Sequence, residues 1–100
     1  MRCRLSLAAQ GDLAHIYASS LGRFGEKQTQ VYVAGLRSAP AFLAANPHAA
    51  RLRTEMHRPA RIPPYKSHII MYTLDDDGIL IVRIRHAHED WINGVEDKLD

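Results

Sequence analysis

Residues 67–90, which read SHIIMYTLDDDGILIVRIRHAHED, decide the fold of this chain. Two apolar runs, residues 68–74 and 79–84, flank an acidic segment that ends in Gly78. A glycine in a short polar turn between two runs rich in β-branched residues predicts a β-hairpin. The second run continues into arginine and histidine side chains, so the search for function begins at that end of the hairpin.

The register of this hairpin has two solutions. The alternation of a strand predicts that three aliphatic residues face the core, Leu80, Val82 and Ile84. It then places four residues on the other face, Ile79, Ile81, Arg83 and Arg85. A turn of residues 75–78 sets His68 across from Arg85, whereas a turn one residue longer sets His68 across from His86. Both registers fit the apolar pattern, but they bring different groups together.

Length and charge indicate a single domain with two oppositely charged regions. The chain has 100 residues, 46% of them hydrophobic, and a net charge of +2. We expect one domain over residues 1–100, with residues 91–100 as a short tail. Residues 51–68 carry five basic side chains against one acid, and residues 89–100 carry five acids against one lysine. This asymmetry predicts separate surfaces for a charged partner.

The sequence favours a cytoplasmic protein. Cys3 is the only cysteine, so no disulfide within the chain is expected, which is typical of a reducing compartment. We find neither a secretory signal nor an apolar run long enough for a membrane span.

Two helices are predicted before the hairpin. Ser6 is a suitable N-cap for the first helix, Gly25 ends it, and Glu26 opens the second, which runs to about Ala45 with a bend near Pro40. The first helix has an apolar stripe formed by Leu13, Ile16, Tyr17, Leu21 and Phe24. The apolar face of the second is formed by Val31, Tyr32, Gly35, Leu36, Ala39, Phe42 and Leu43. The small residues on this face predict close packing of the two helices.

The strands complete an α+β arrangement. Residues 2–7 alternate and predict a first strand, and the proline-flanked Arg61-Ile62 segment predicts an edge strand. With the hairpin, the order is β-α-α-β-β-β. The expected fold is a two-layer domain in which an αα-hairpin covers a mainly antiparallel sheet.

The polar residues bear on three kinds of chemistry: metal binding, RNA cleavage and covalent catalysis. The spacing in His86-Ala87-His88-Glu89-Asp90 resembles a metal-ligand run, but the chain has no further ligands to complete it, so no metal and no cofactor are predicted. RNA cleavage needs a base, cations and an acid, and these residue types are present: Arg61, Lys66, Arg83, Arg85, His68, His86 and His88. Tyr65 and Tyr72 are candidates to stack a base. No residue pattern supports a serine or cysteine nucleophile.

The order of motifs resembles the RelE/ParE superfamily of bacterial toxins, and most closely a ParE-type toxin. The resemblance rests on these residues: Asp12-Leu13, Ile16, Phe24-Gly25, Gln28, Tyr32, Leu36, 43–47, Arg61, 67–70, Tyr72, 78–79, 81–84, His86 and Asp90. It covers about residues 2–91. Pro40, Pro59 and Pro63-Pro64 depart from the pattern and affect the expected local geometry of residues 49–65.

The resemblance implies the toxin of a type II toxin-antitoxin pair. A ParE-type toxin is expected to poison DNA gyrase by binding, without enzymatic turnover, and to meet DNA only indirectly, through gyrase or the antitoxin. Its partner would be a ParD-like ribbon-helix-helix antitoxin. Two alternatives stay open: a RelE-like, ribosome-dependent messenger RNA endonuclease, and an inactive homologue that only binds antitoxin and regulates its operon. The RelE-like site has a tyrosine near the C-terminus, but Trp91 is the only aromatic residue after Tyr72 here.

The contact surface is expected on the basic strand and on the end of the last strand, with no membrane contact. The candidate residues for target or antitoxin contact are Arg61, Tyr65, Lys66, His68, Arg83, Arg85, His86, His88, Asp90 and Trp91. The antitoxin is expected to lay an apolar helix and an extended segment on the helical hairpin and the sheet, with acidic groups opposite the basic middle. Joint substitution of Arg83 and His86 by alanine is expected to relieve toxicity and to spare antitoxin binding.

Overall fold

The computed structural model describes residues 2–54 and 58–87. Its elements, in chain order, are β1 (Arg2–Leu5), α1 (Leu7–Phe24), α2 (Glu26–Ala45), β2 (Leu52–Arg53), β3 (Ala60–Arg61), β4 (Pro64–Tyr65), β5 (His68–Asp75) and β6 (Gly78–His86). The sheet order is β1-β6-β5-β3-β2, with β4 paired to β5 beside this path. Only the β1–β6 pairing is parallel among these strands. The predicted α+β fold, helices over a mainly antiparallel sheet, is confirmed, with six strands where four were predicted.

The predicted helix ends agree with the structure. The Ser6 side chain accepts a hydrogen bond from the backbone N–H of Ala9, which satisfies one of the free donors of the first turn of α1. Gly25 follows α1 with φ of 83°, a left-handed value that glycine adopts without a Cβ clash, and its N–H donates to the Leu21 carbonyl. The second helix continues through Pro40 to Ala45, and the bend near Pro40 stays a prediction.

The predicted apolar faces of both helices are wrong in part. In the structure Leu21, Phe24, Val31 and Phe42 are 37%, 51%, 65% and 61% exposed. The second helix instead buries a face that includes Val33, which lies about 200° around a helix from Val31. Apolar residues occupy a wider arc of each helix than the sheet covers, so the pattern alone does not select the covered part.

The core lies between the helices and the middle of the β5–β6 hairpin. The sheet contributes Ile70, Tyr72, Ile79, Ile81 and Ile84 to it. Tyr72 is fully buried, and its hydroxyl donates to the Pro47 carbonyl over 2.8 Å, which satisfies the polar end of a core side chain. None of the helices within the described ranges is long and apolar enough to cross a membrane.

The proline-flanked segment forms two short strands where one edge strand was predicted. Arg61, in β3, pairs with both Leu52 of β2 and Tyr72 of β5, so β3 is not an edge. Pro64 lies in β4, whose single neighbour is β5, as expected for a residue without an N–H. The break at Ile62 and Pro63 separates the two pairings.

A β-bulge at Val82 combines the two registers considered for the hairpin. Near the turn Leu74 lies opposite Ile79 and Tyr72 opposite Ile81, whereas at the open end His68 lies opposite His86. The pairing shifts between Met71 and Tyr72, leaving Val82 as the extra residue of β6. The expectation that Leu80 and Val82 face the core is therefore wrong, because the bulge places Ile79, Ile81 and Ile84 on one side.

Ser6 holds the bulged part of β6. Its N–H donates to the Ile81 carbonyl over 2.9 Å, and its hydroxyl donates to the Val82 carbonyl over 2.6 Å. The same oxygen accepts from Ala9. One side chain thus caps α1 and satisfies a carbonyl that the irregular ladder exposes, so the bulge and the first helix depend on each other.

Candidate functional site

A cleft of about 490 Å³ opens between the two helices and the open end of the β5–β6 hairpin. The first helix lines it with Asp12, His15, Ser19 and Arg23. The sheet and its turn line it with Lys66, His68, Arg85 and His86. Four of the residues selected from the sequence therefore meet in one place, and they face a helix that the sequence reasoning had treated as structural.

A tyrosine and two histidines form the centre of the cleft. The Tyr32 hydroxyl and Nδ1 of His68 are joined by a hydrogen bond of 2.7 Å, whose direction depends on the tautomer of His68. His68 and His86 meet edge to face, with ring centroids 5.3 Å apart. Burial raises the pKa of Tyr32, so its phenol stays protonated and holds the first imidazole in place.

Lys66 stands at the rim of the cleft in a strained backbone conformation. It lies in the two-residue turn between Tyr65 and His68 and has φ of 51°. A left-handed φ is uncommon for any residue but glycine, asparagine or aspartate. Its Nζ lies 5.7 Å from the ring centroid of Tyr32 and 5.8 Å from that of Tyr65. The tight turn thus fixes an ammonium group over two aromatic rings beside the histidines.

Arg83 is buried in an ion pair with Asp12. Its Nε and Nη2 donate to the two carboxylate oxygens over 2.8 and 2.7 Å, and the N–H of Ile84 donates to the same carboxylate. Arg83 is only 5% exposed. Arg83 is therefore covered by protein in this structure, where its guanidinium fork, matched to a carboxylate, joins α1 to β6, and its role in a contact surface stays a prediction. Substitution of Arg83 by alanine would remove the partner of Asp12 and destabilise the fold. A loss of toxicity in that variant would therefore not show that Arg83 contacts a partner protein.

Arg85, by contrast, lines the cleft. Its Nη1 lies 3.9 Å from the nearer Asp12 oxygen, and its side chain is about a quarter exposed. The two arginines lie two residues apart in the same register, but Arg83 forms the close pair with Asp12 whereas Arg85 lies farther from it, at the cleft.

The other selected residues lie elsewhere. Arg61 is half-buried and donates to the Ala50 carbonyl, outside the cleft lining. Tyr65 is half-buried, and its hydroxyl packs on Gly35 of α2. The prediction that this small residue allows close packing against the first helix is therefore wrong, because Gly35 accommodates a side chain of β4 instead. His88, Asp90 and Trp91 lie outside the described residues.

Within residues 2–54 and 58–87 no group of three histidine, cysteine, aspartate or glutamate side chains is placed to hold a metal ion. His88 and Asp90 of the HxHxD run fall outside those ranges, so that run is not tested.

Sequence reasoning missed the contribution of α1 to the cleft. Asp12, His15, Ser19 and Arg23 recur at intervals of three or four residues, the spacing that places side chains on one face of a helix. The same periodicity analysis that finds an apolar stripe would have found this polar one. Tyr32 was missed for a different reason, since it was counted as part of the apolar face.

The fold is shared with a solved toxin-antitoxin structure. A structure titled "Chromosomal ParDE TA system from P. aeruginosa" superposes with a TM-score of 0.70 at 21% identity, covering 86% of this chain and 95% of that chain. At this identity the likeness concerns the fold alone. It identifies the class as small α+β domains with a ParE-like architecture.

Sequence comparisons identify the family. Residues 3–91 match the family described as "ParE toxin of type II toxin-antitoxin system, parDE". Two relatives called Toxin ParE1, from two strains of Mycobacterium tuberculosis, are each 32% identical over 90 residues, which is 89% of this chain and 92% of the relative. The chain therefore belongs to the ParE toxin family of type II toxin-antitoxin systems.

Proposed function

We propose that this chain is a single-domain toxin that poisons DNA gyrase by binding it, without turning over a substrate, and that a ParD-like ribbon-helix-helix antitoxin neutralises it. The observation that carries the proposal is the ParE family match over residues 3–91. Action on gyrase would place the toxin in the cytoplasm and bring it to DNA only through gyrase or the antitoxin.

The open end of the sheet is the proposed target surface. Lys66, His68, Arg85 and His86 lie together there, and the chain continues from Ala87 toward Trp91, the other part of the predicted contact region. A cationic surface fits a gyrase complex that holds cleaved DNA, because positive charge attracts the phosphate backbone.

The arrangement of the tyrosines supports binding over RNA cleavage. Tyr72 is fully buried, and the hydroxyl of Tyr65 packs on Gly35. Neither tyrosine is among the residues that line the cleft, where the ribonuclease alternative would use them to stack a base. This observation favours a toxin that acts by contact.

The antitoxin surface is proposed on the helical hairpin. Five large apolar side chains there are more than a third exposed: Leu7, Leu21, Phe24, Val31 and Phe42. An apolar helix laid on them would remove this surface from water. The Arg51 and Arg53 side chains border a groove beside Phe42. Acidic groups of the antitoxin that lie in this groove would be opposite these two positive charges.

Gyrase supercoiling and DNA-cleavage assays with the purified chain test the target. We expect inhibited supercoiling and accumulated cleaved DNA, both reversed by the cognate antitoxin. Intact supercoiling together with reporter messages cut at defined positions would support the ribonuclease alternative instead. Harmless overexpression without antitoxin would indicate the inactive homologue.

Two reciprocal variants test the two surfaces. Lys66→Glu is expected to reduce gyrase poisoning and to retain antitoxin binding, because it reverses charge only at the cleft rim. Phe42→Glu is expected to weaken antitoxin binding and to retain toxicity. If both variants lose the same activity, the assignment of separate surfaces is wrong.

A further inference from the structure

The cleft has the composition of an anion site. Its lining includes three cationic side chains, Arg23, Lys66 and Arg85, and one carboxylate, Asp12. The Asp12 charge is matched from behind by the buried Arg83. Within the described part of the chain the cleft therefore carries an excess of positive charge over negative.

We propose that this cleft binds a phosphate group, carried by a nucleotide or by a nucleic-acid backbone, with Lys66, Arg85, His68 and His86 as its ligands. The site belongs to the isolated toxin and does not depend on gyrase being the target. Its test therefore uses no gyrase, so a failure to bind phosphate is distinguished from a failure to poison gyrase.

The bulge is the first of three structural features that meet at this cleft. Without the extra residue Val82, Arg85 would lie opposite His68, and the side chain of His86 would point to the opposite face of the sheet from His68. With Val82 present, His86 lies opposite His68, and the centroids of the two imidazole rings are 5.3 Å apart in an edge-to-face arrangement. Bulges are frequent next to functional sites, where they change the direction of a side chain.

The strained turn is the second feature. Glycine would adopt φ of 51° at position 66 without cost, yet the chain has a lysine there. Strain of this kind persists where the surrounding structure or a function maintains it. The turn places the Lys66 ammonium beside Tyr32 and next to the histidines.

The buried ion pair is the third. A bidentate carboxylate–arginine pair fixes α1 against β6, and its aspartate belongs to the same polar helix face as His15, Ser19 and Arg23. The pair thus joins the two walls of the cleft and neutralises Asp12, the one carboxylate that lines it among the described residues. Hydroxyl, imidazole and cationic groups also line the opening.

A phosphate group fits this environment in charge and size. It takes strong, charge-assisted hydrogen bonds from cationic donors, and it accepts several at once. The cleft volume of about 490 Å³ lies within the range of small-ligand sites, about 300–1,000 Å³. The imidazole rings of His68 and His86 add N–H groups that can donate to a phosphate oxygen.

The experiment is a titration of the full chain followed by two-dimensional amide NMR. The three probes are inorganic phosphate, adenosine 5′-monophosphate and a short single-stranded oligodeoxynucleotide. We expect saturable shifts at the backbone amides of the cleft, which weaken with added salt. Tightest binding of the mononucleotide would assign the source to a free nucleotide. Tightest binding of the oligonucleotide would assign it to a nucleic-acid backbone and would contradict the expectation that the toxin meets DNA only through gyrase or the antitoxin.

Lys66→Gly is the decisive variant, because the turn accepts glycine and the fold is expected to be as stable as the wild type or more so. It should weaken binding of the best probe about tenfold, the usual effect of losing one charged donor. Arg37→Ala is the matched control, since Arg37 is an exposed cation of α2 outside the cleft lining. The control should bind as the wild type does.

A double variant tests the histidines. His68→Ala with His86→Ala should weaken binding of the best probe, because it removes both imidazole rings from the cleft lining. The proposal is overturned if no probe shifts the cleft amides, if Lys66→Gly binds as tightly as the wild type, or if the histidine double variant does.

Discussion

The two ends of the β5–β6 hairpin differ in what their pairing achieves. At the turn end Leu74 faces Ile79 and Tyr72 faces Ile81 in unbroken alternation, and the paired residues near the helices are apolar. At the open end, beyond Val82, the same two strands bring His68 and His86 together. One additional residue thus converts a core hairpin into the wall of a polar cleft.

The difference also concerns how charge is held. At the turn end, Arg4 and Asp75 form an ion pair near water, with side chains 29% and 46% exposed. At the open end, Arg83 and Asp12 are 5% and 12% exposed. An exposed pair contributes little because water and salt screen it, whereas a buried pair leaves a costly charge behind when one partner is removed.

The largest effect is expected from Asp12→Ala, which breaks the open end. It leaves the buried Arg83 guanidinium without its carboxylate and should lower the free energy of unfolding by about 3–5 kcal/mol in urea denaturation. Asp12→Leu combined with Arg83→Met should recover most of that loss, because no buried charge then stays unpaired. Equal losses in the single and double variants would contradict this account.

Ser6→Ala is expected to act next most strongly, by loosening the bulge. It removes the cap of α1 and the donor to the Val82 carbonyl, for a combined loss of about 2 kcal/mol. Amide hydrogen exchange should rise at the open end more than at the turn. The matched control is Ser38→Ala, whose hydroxyl only donates to the Ala34 carbonyl within α2, and it should change stability little.

Gly35→Ala tests the difference between the two hairpin ends, because it disturbs packing at the open end only. The added Cβ would meet the Tyr65 hydroxyl, and Tyr65 packs against Tyr32 with ring centroids 5.6 Å apart. Displacing this ring should cost about 1–3 kcal/mol, partly offset by the gain of about 1 kcal/mol for alanine over glycine in a helix.

The matched control is Gly22→Ala, in α1, where an added Cβ would meet nothing within 4 Å. It should raise the melting temperature by several degrees, since only the helix gain of about 1 kcal/mol remains. If both variants shift the melting temperature alike, Gly35 has no special role in seating Tyr65.

The smallest effect is expected at the turn end, from pH. The hydrogen bond from Arg4 lowers the pKa of Asp75, so this carboxylate stabilises the fold above the unfolded carboxyl pKa of about 3.9 and loses that contribution as the pH falls through the lower folded value. Arg4→Gln should therefore reduce the acid dependence of stability below about pH 4. If the free energy of unfolding falls identically at acid pH in the wild type and the variant, the Arg4–Asp75 pair does not contribute to stability.

The elements of the fold could be predicted because their signals are local. Ser6, Gly25 and Gly78 mark a helix start, a helix end and a hairpin turn through their own backbone chemistry. The polar face of α1 also has a readable period, although it was overlooked. By contrast, the partner of Arg83 lies 71 residues earlier in the chain, and no local pattern indicates such a pair.

Local patterns are enough to place the two helices and the hairpin, because periodicity, caps and turn residues act over a few positions. The toxin family follows separately, from the resemblance of the order of motifs. The hairpin register, the buried arc of each helix and the polar groups that meet in the cleft depend on contacts between distant parts of the chain, because Val82 fits either register locally. The choice is made by the helix start at Ser6 and the aspartate at position 12, which bind β6 from the far end of the chain.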